Sequence, residues 1–207
     1  MWLNKFGRSG KKLKMQIDYE GCEDSRLIAL FIDGNETAFE TLYYRHQKQL
    51  YGFLNNMIRN PATADEVYSD TWLKVIDKLG SYRDNGKFCA WLFRIARNVF
   101  YDKCRRKKTN CEVEFDEVIL DETLTATYPE PDRLMSNEEL GKIISRGLEE
   151  LSLEQREVFL LRQQDISFKE IAEIQECSIN TVLSRMQYAL KSLRKFLNSV
   201  DNGVLSE

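Results

Sequence analysis

Between Gly80 and Lys108 the chain reads GSYRDNGKFCAWLFRIARNVFYDKCRRKK, a run in which cations and aromatic rings are interleaved and only Asp84 and Asp102 are acidic. Phosphates pair with Lys and Arg, and unstacked bases stack on rings, so this mixture suits the gripping of single-stranded nucleic acid. On an α-helix of about 3.6 residues per turn, Trp91, Leu92, Ile95, Ala96 and Val99 form an apolar stripe. Arg94, Arg97, Asn98, Tyr101 and Arg105 fall on another face. A solvated charged face is the ordinary explanation of such cations, but Tyr82, Phe88 and Tyr101 among them favour a bound anionic strand.

Other candidate chemistry is sparse. His46 sits in an apolar row with no Cys, Asp or Ser constellation around it, and reads as a core or boundary histidine. The five cysteines, Cys22, Cys89, Cys104, Cys111 and Cys177, form an odd set with no Cys-x-x-Cys pair, which suits reduced thiols and predicts neither a zinc site nor a cofactor. The net charge of -3 would argue against a nucleic-acid binder if charge were evenly spread, but the basic residues come in blocks. No segment has signal-peptide or transmembrane character, so a cytoplasmic protein with no membrane insertion is expected.

The elements that must position the basic stretch are helical. Residues 1–17 read as a basic tail, either without a role or in transient contact with nucleic acid. Asp24 can cap a short helix through Ile32, and Gly34 with Asn35 breaks the chain before a longer helix with Phe39, Leu42, Tyr43, His46, Leu50, Leu54 and Met57 on one face. Pro61 stops that helix. A third runs from Ala62 to Leu79 with Tyr68, Trp72, Val75, Ile76 and Leu79 inward and Asp65, Glu66, Ser69, Asp70 and Asp77 outward. On pattern alone that acidic face is simply solvated. With the basic helix, these elements complete a domain over 18–108, a size that can hold its own core.

At Thr109 the character changes. Residues 109–137 are acidic and punctuated by Pro129 and Pro131, and read as a flexible linker between two domains. In the second unit, 138–200, Ser152 with Gln155 and Ser167 with Glu170 fit the capping box that marks a helix start. The helix opened by Ser167 buries Phe168, Ile171 and Ala172. After Glu176 and Cys177 another begins near Ser178, burying Val182, Met186, Ala189 and Leu193, with Thr181, Ser184, Arg185, Gln187, Tyr188 and Lys191 outward. This pattern fits a helix-turn-helix whose second helix enters the major groove, or a hairpin within a bundle. The preceding helix 153–163 completes a trihelical core and favours the first. Residues 201–207 read as a tail. The predicted fold is therefore all-α, two small helical domains joined by an acidic linker.

These residues resemble the bacterial sigma-70 family of transcription initiation factors in its smallest, extracytoplasmic-function form, over about 25–106 and 140–197. ADEVYSDTWLKVI at 64–76 is similar to the segment with which the family binds the clamp helices of the largest polymerase subunit. The resemblance thus implies that Asp65, Glu66, Ser69, Asp70 and Trp72 lie on or under a core-polymerase surface, Ser69 replacing the family's usual Gln. FCAWLFRIARNVFYDKCRR at 88–106 is similar to the signature Phe-x-x-Trp-Leu-x-x-Ile-Ala-x-Asn, where the family melts and holds the minus-ten strand. This implies minus-ten roles for Tyr82, Arg83, Asn85, Lys87, Phe88, Trp91, Arg94, Arg97, Asn98, Tyr101 and Arg105, with the loop Tyr82 to Lys87 receiving a flipped base. Thr181-Val182-Leu183-Ser184-Arg185-Met186 fits the family's Thr-Val-x-Ser-Arg recognition helix and implies that Thr181, Leu183, Ser184, Arg185, Gln187, Tyr188 and Lys191 meet the minus-thirty-five element. Glu176 stands where the family's turn usually has Gly, and Leu183 where a basic residue is common, which implies an unusual or weaker minus-thirty-five readout.

The implied protein is a specificity subunit, not an enzyme, that needs no cofactor or metal. Its implied partners are core RNA polymerase (clamp helices and flap), promoter DNA in duplex and single-stranded form, and an anti-sigma factor. An autonomous helix-turn-helix regulator acting on duplex DNA without polymerase is the alternative, and a nuclease is a distant third because no His or carboxylate cluster lies beside the basic patch.

Overall fold

The structure, a computed structural model, describes residues 18–58, 60–83, 86–107 and 137–201; the tails at 1–17 and 202–207, Asn85, and nearly all of the linker 109–137 lie outside the described residues. Among the described residues there are eight helices and no strand. They are α1 (Asp24–Ile32), α2 (Glu36–Met57), α3 (Pro61–Leu79), α4 (Phe88–Lys107), α5 (Asn137–Glu149), α6 (Leu153–Arg162), α7 (Phe168–Gln175) and α8 (Ile179–Asp201).

Local chemistry sets the boundaries. Gly34, at φ +93°, turns the chain out of α1, and the Asn35 side chain accepts the Ala38 N–H to start α2. Asn60 does the same for Thr63 at the start of α3. Pro61 therefore opens α3 instead of stopping α2, which has already ended at Met57. A first-turn proline needs no backbone N–H, so this is where it fits. Asp24 is not a cap either. Glu23 holds the cap position without a side-chain bond, and the Asp24 carboxylate is taken up by Arg45 and His46, each at 2.7 Å. The two capping boxes of the second unit form as expected, Ser152 with Gln155 and Ser167 with Glu170.

In the first unit α1 packs on α2, and α2, α3 and α4 pack on one another around Leu27, Leu42, Leu50, Leu54, Val67, Val75, Leu79, Leu92 and Phe93. His46 is buried at the edge of this core, as its place in the apolar row predicts. Ile76, expected inward, is exposed, because the inward row of α3 is completed by Ala64, Val67 and Thr71. In the second unit α6, α7 and α8 enclose Val158, Leu161, Ile171, Val182 and Ala189, while Phe168 is only half-buried beneath the Arg162 guanidinium. Arg156, buried, donates to the carbonyls of Leu148 and Leu151 and so fixes the turn between α5 and α6.

The two units are not held apart. Helix α6 packs on α2 and α7 on α4, so their apolar residues make one contiguous cluster. A single-sequence pattern gives no warning of this, because each unit already has a complete core.

Candidate nucleic-acid and partner interfaces

The basic stretch divides into an aromatic group at its start and a row of cations beyond. The Tyr82 ring lies 4.5 Å from Trp91 and 5.8 Å from Phe88, centroid to centroid. Phe88 is buried against His46 at 5.1 Å and cannot receive a base itself; it props up the half-buried Tyr82 and Trp91, which can. Arg83, Arg94, Asn98 and Arg105 are exposed. The Arg97 guanidinium lies 4.4 Å above the Tyr101 ring, a cation–π contact that holds both side chains. Arg105 is paired with Asp102 at 2.5 Å but remains mostly in solvent.

On α3, Asp65 accepts the Tyr51 hydroxyl at 3.1 Å, and the Ser69 hydroxyl is turned back to the Asp65 carbonyl. Lys103 of α4 reaches over to Glu66 at 2.6 Å and Asp70 at 3.6 Å. Trp72 is only 5% exposed and stacks among Phe39, Tyr43 and Tyr68, so it lies under the face and stiffens it. Two further residues complete the surface: Leu73, 56% exposed, which the sequence reading left out, and Ile76, 42% exposed, which it placed inward. Apolar side chains left in water beside carboxylates mark a contact surface better than the charges do alone. Their spacing, three residues apart and outside the Val67–Thr71–Val75 row, was the available signal.

On α8, Leu183, Gln187 and Lys191 are exposed and Thr181 and Ser184 half-buried. The Ser178 hydroxyl accepts the Thr181 N–H at 3.1 Å and opens the helix. Arg185 is turned back, donating to Gln175 Oε1 at 2.9 Å, and the Tyr188 hydroxyl is buried with no hydrogen-bond partner among the described residues. Tyr188 therefore departs from the outward row that its spacing suggested. Glu176, standing in the turn between α7 and α8, has a left-handed backbone at φ 55°.

One carboxylate joins the first and third of these faces. Glu157, 0% exposed, lies 3.0 Å from Arg97 Nε of α4, close as charges but not aligned as a hydrogen bond. Its other oxygen accepts Gln175 Nε2 at 2.6 Å, and Gln175 in turn accepts Arg185. Burial lifts the Glu157 carboxyl above its ordinary range, with Arg97 and Gln175 opposing that lift. Burial and this carboxylate also raise the Tyr101 phenol. The sequence signal for Glu157 was a charge standing in the apolar stripe of α6, at helical spacing between Leu153 and Leu160.

Among the described residues no group of His, Cys, Asp and Glu could hold a metal ion, and no helix is long and apolar enough to cross a membrane. Four described cysteines are free thiols; burial pushes Cys89 up to about 11.

Residues 42–110 match the family description "Sigma-70 region 2" and residues 142–193 match "Sigma-70, region 4". The chain is 31% identical over 172 residues to RNA polymerase sigma factor CarQ of Myxococcus xanthus, covering 83% of this chain and 95% of that protein. It is 29% identical over 182 residues to ECF RNA polymerase sigma factor SigM of Mycobacterium tuberculosis, covering 87% and 88%. Among solved structures it is similar to the sigma factor RpoE in complex with the anti-sigma factor NepR from Bartonella quintana, with TM-score 0.59, 25% identity and coverage of 77% of this chain and 96% of that one.

Proposed function

The chain belongs to the sigma-70 family, in its extracytoplasmic-function form, and on that premise we propose how its surfaces divide the work of an RNA polymerase sigma factor. The unit at 18–108 holds core polymerase and the minus-ten element, the unit at 138–200 reads the minus-thirty-five element, and 109–137 connects them.

The acidic α3 face, Asp65, Glu66, Ser69 and Asp70 with Leu73 and Ile76 between and beyond them, meets the polymerase clamp, with Trp72 as its buried support. Tyr82, Arg83, Asn85, Lys87 and Trp91 receive an extruded base of the non-template strand, which must regain by stacking and hydrogen bonding the few kcal/mol lost on leaving the duplex. Arg94, Arg97, Asn98, Tyr101 and Arg105 hold the adjoining phosphates. Thr181, Leu183, Ser184, Gln187 and Lys191 face the major groove, the polar members contacting base edges or phosphates and Leu183 giving apolar contact, and Arg185 joins them on release from Gln175. An anti-sigma factor is a partner by analogy with the RpoE complex. No catalytic residue is assigned.

The observation that carries this division is the ring pair Tyr82–Trp91 at 4.5 Å beside a row of exposed cations, a surface that fits a single strand better than a duplex. Run-off transcription with purified core polymerase on genomic promoter fragments tests it. Specific start sites that vanish in the Tyr82→Ala/Trp91→Ala double variant, with core binding retained, are expected; start sites that persist in it would refute the assignment.

A further inference from the structure

The ring pair Tyr82–Trp91 has a backing. Phe88, 2% exposed, touches both rings, its centroid 5.8 Å from Tyr82 and 5.7 Å from Trp91. Phe88 rests in turn on the His46 imidazole, 5.1 Å away and tilted by 60°. These spacings all fall in the range at which aromatic rings attract one another. His46 thus stands at one end of a line of rings and the base-receiving pair at the other, with Phe88 between them.

The imidazole is itself aimed. Nε2 lies 2.7 Å from Asp24 Oδ2, whereas Nδ1 is buried with no hydrogen-bond partner among the described residues, so Asp24 is the polar anchor of the ring. Burial works to raise the Asp24 carboxyl, but the bonds and charges of His46 and Arg45 outweigh it and hold the group below its ordinary value. An ionised carboxylate only accepts, so Nε2 carries the proton. The carboxylate comes from 22 residues earlier in the chain, which is why no partner for His46 was visible in the sequence. Fastening α1 to α2 does not require this bond. Arg45 already donates to Asp24 Oδ1 at 2.7 Å and to the Glu20 carbonyl at 3.0 Å, and an apolar side chain in place of His46 would leave no polar atom to satisfy. What the second carboxylate oxygen adds is direction: it fixes the imidazole plane against Phe88, much as an outer partner fixes a metal-ligating histidine.

We propose that His46, oriented by Asp24, is a positioning residue for base capture: it holds Phe88 and, through Phe88, sets the spacing and tilt of the Tyr82–Trp91 pair. This rests on the reading of that pair given above. His46, buried behind Phe88, does not touch the strand. A binding constellation works when its parts are held to within about 0.5 Å by the side chains behind them. Loosening the imidazole therefore costs the extruded base its contacts, while Arg94 and Arg105, further along α4, keep theirs with phosphate.

Holoenzyme reconstituted with the full chain tests this on fluorescein-labelled non-template oligonucleotides spanning the minus-ten region of the strongest promoter found by run-off transcription. Each position is replaced in turn by an abasic tetrahydrofuran unit. The position where wild type loses most affinity, about tenfold, marks the captured base. Asp24→Ala frees the ring, and His46→Gln keeps a donor for Asp24 but has no ring. Each should cut the intact-to-abasic ratio to about twofold and leave affinity for the abasic strand near that of wild type. Asp24→Asn retains an oxygen for Nε2 and should restore the ratio, and core-polymerase affinity should be the same throughout. A merely structural role would move both strands together or neither. A full ratio in Asp24→Ala and His46→Gln, a parallel fall in intact and abasic affinities, or an Asp24→Asn variant no better than Asp24→Ala would overturn the proposal. Absence of any base-dependent position in wild type would instead overturn the reading of Tyr82 and Trp91, and this inference with it.

Discussion

Lys103 stands 2.6 Å from Glu66, so a cation of the basic helix α4 neutralises part of the acidic face of its neighbour α3. Asp70, at 3.6 Å from the same ammonium, shares it. Both acids are more than half exposed, and an ion pair in that setting is worth little to stability. The carboxylates are thus available to a basic partner at small cost. Glu66→Lys with Asp70→Lys should lower core-polymerase affinity by about tenfold or more, as like-charge contact replaces attraction. The far-ultraviolet circular dichroism should be unchanged, and Lys103→Ala should cost less than about 1 kcal/mol in urea unfolding. Unaltered polymerase binding by the double variant would remove α3 from the interface.

The loop and the helix of the basic stretch should separate in a promoter series. Tyr82 is held against Trp91 by ring contact, so Tyr82→Ala removes half of a stacking site and should change the ranking of promoters in run-off assays. Arg105 is exposed and, among the described residues, paired with Asp102 one turn away, as suits a phosphate contact. Arg105→Ala should weaken all promoters alike and reduce the slope of log affinity against log salt by about 1. A uniform loss in both variants would erase the distinction.

The fold of each unit was legible because its signals are local. Capping boxes at Ser152 and Ser167 and the apolar row through His46 all act within one or two helical turns, whereas Pro61 was read as the stop of α2 although it opens α3. The acidic and basic faces were legible for the same reason. What could not be read was any relation across the chain. Nothing in α6 says that Glu157 will meet Arg97, sixty residues earlier, and nothing in α8 says that Arg185 will turn back to Gln175. Ile76 was misassigned for a smaller reason, the extension of an apolar row by one residue when Thr71 already filled the inward position with its hydroxyl satisfied by the Val67 carbonyl.

Glu176 carries a left-handed backbone at φ 55°, ψ 43° between α7 and α8, where a β-carbon crowds the neighbouring carbonyl. Glu176→Gly relieves that strain and should stabilise the chain by about 0.5 to 1 kcal/mol after the greater freedom of glycine in the unfolded chain is subtracted. Glu176→Ala keeps the β-carbon and should gain nothing of this kind. Thermal unfolding of the two variants separates strain from charge: equal midpoints would show that the backbone angle is not what the substitution relieves.

The buried Glu157 gives the packed form a pH dependence of definite sign. It faces Arg97 and Tyr101 from α4, Gln175 from α7, Arg185 from α8 and Glu154 on its own helix, and burial prevails over the cations, so the folded carboxyl holds its proton to higher pH than the unfolded one does. Between the ordinary carboxyl pKa and this lifted value the folded state binds more protons than the unfolded state. Stability from this group is therefore fullest on the acid side, falls as pH rises through that window, and is level above it. Glu157→Gln keeps an oxygen toward Gln175 and Arg97 but has no proton to lose. In urea unfolding between pH 5 and pH 8, a range of about three units above the ordinary carboxyl value, the variant should be the more stable at the alkaline end, and its advantage should shrink toward pH 5. An advantage that stays constant across the range, or grows as pH falls, would mean that the cations around Glu157 outweigh its burial.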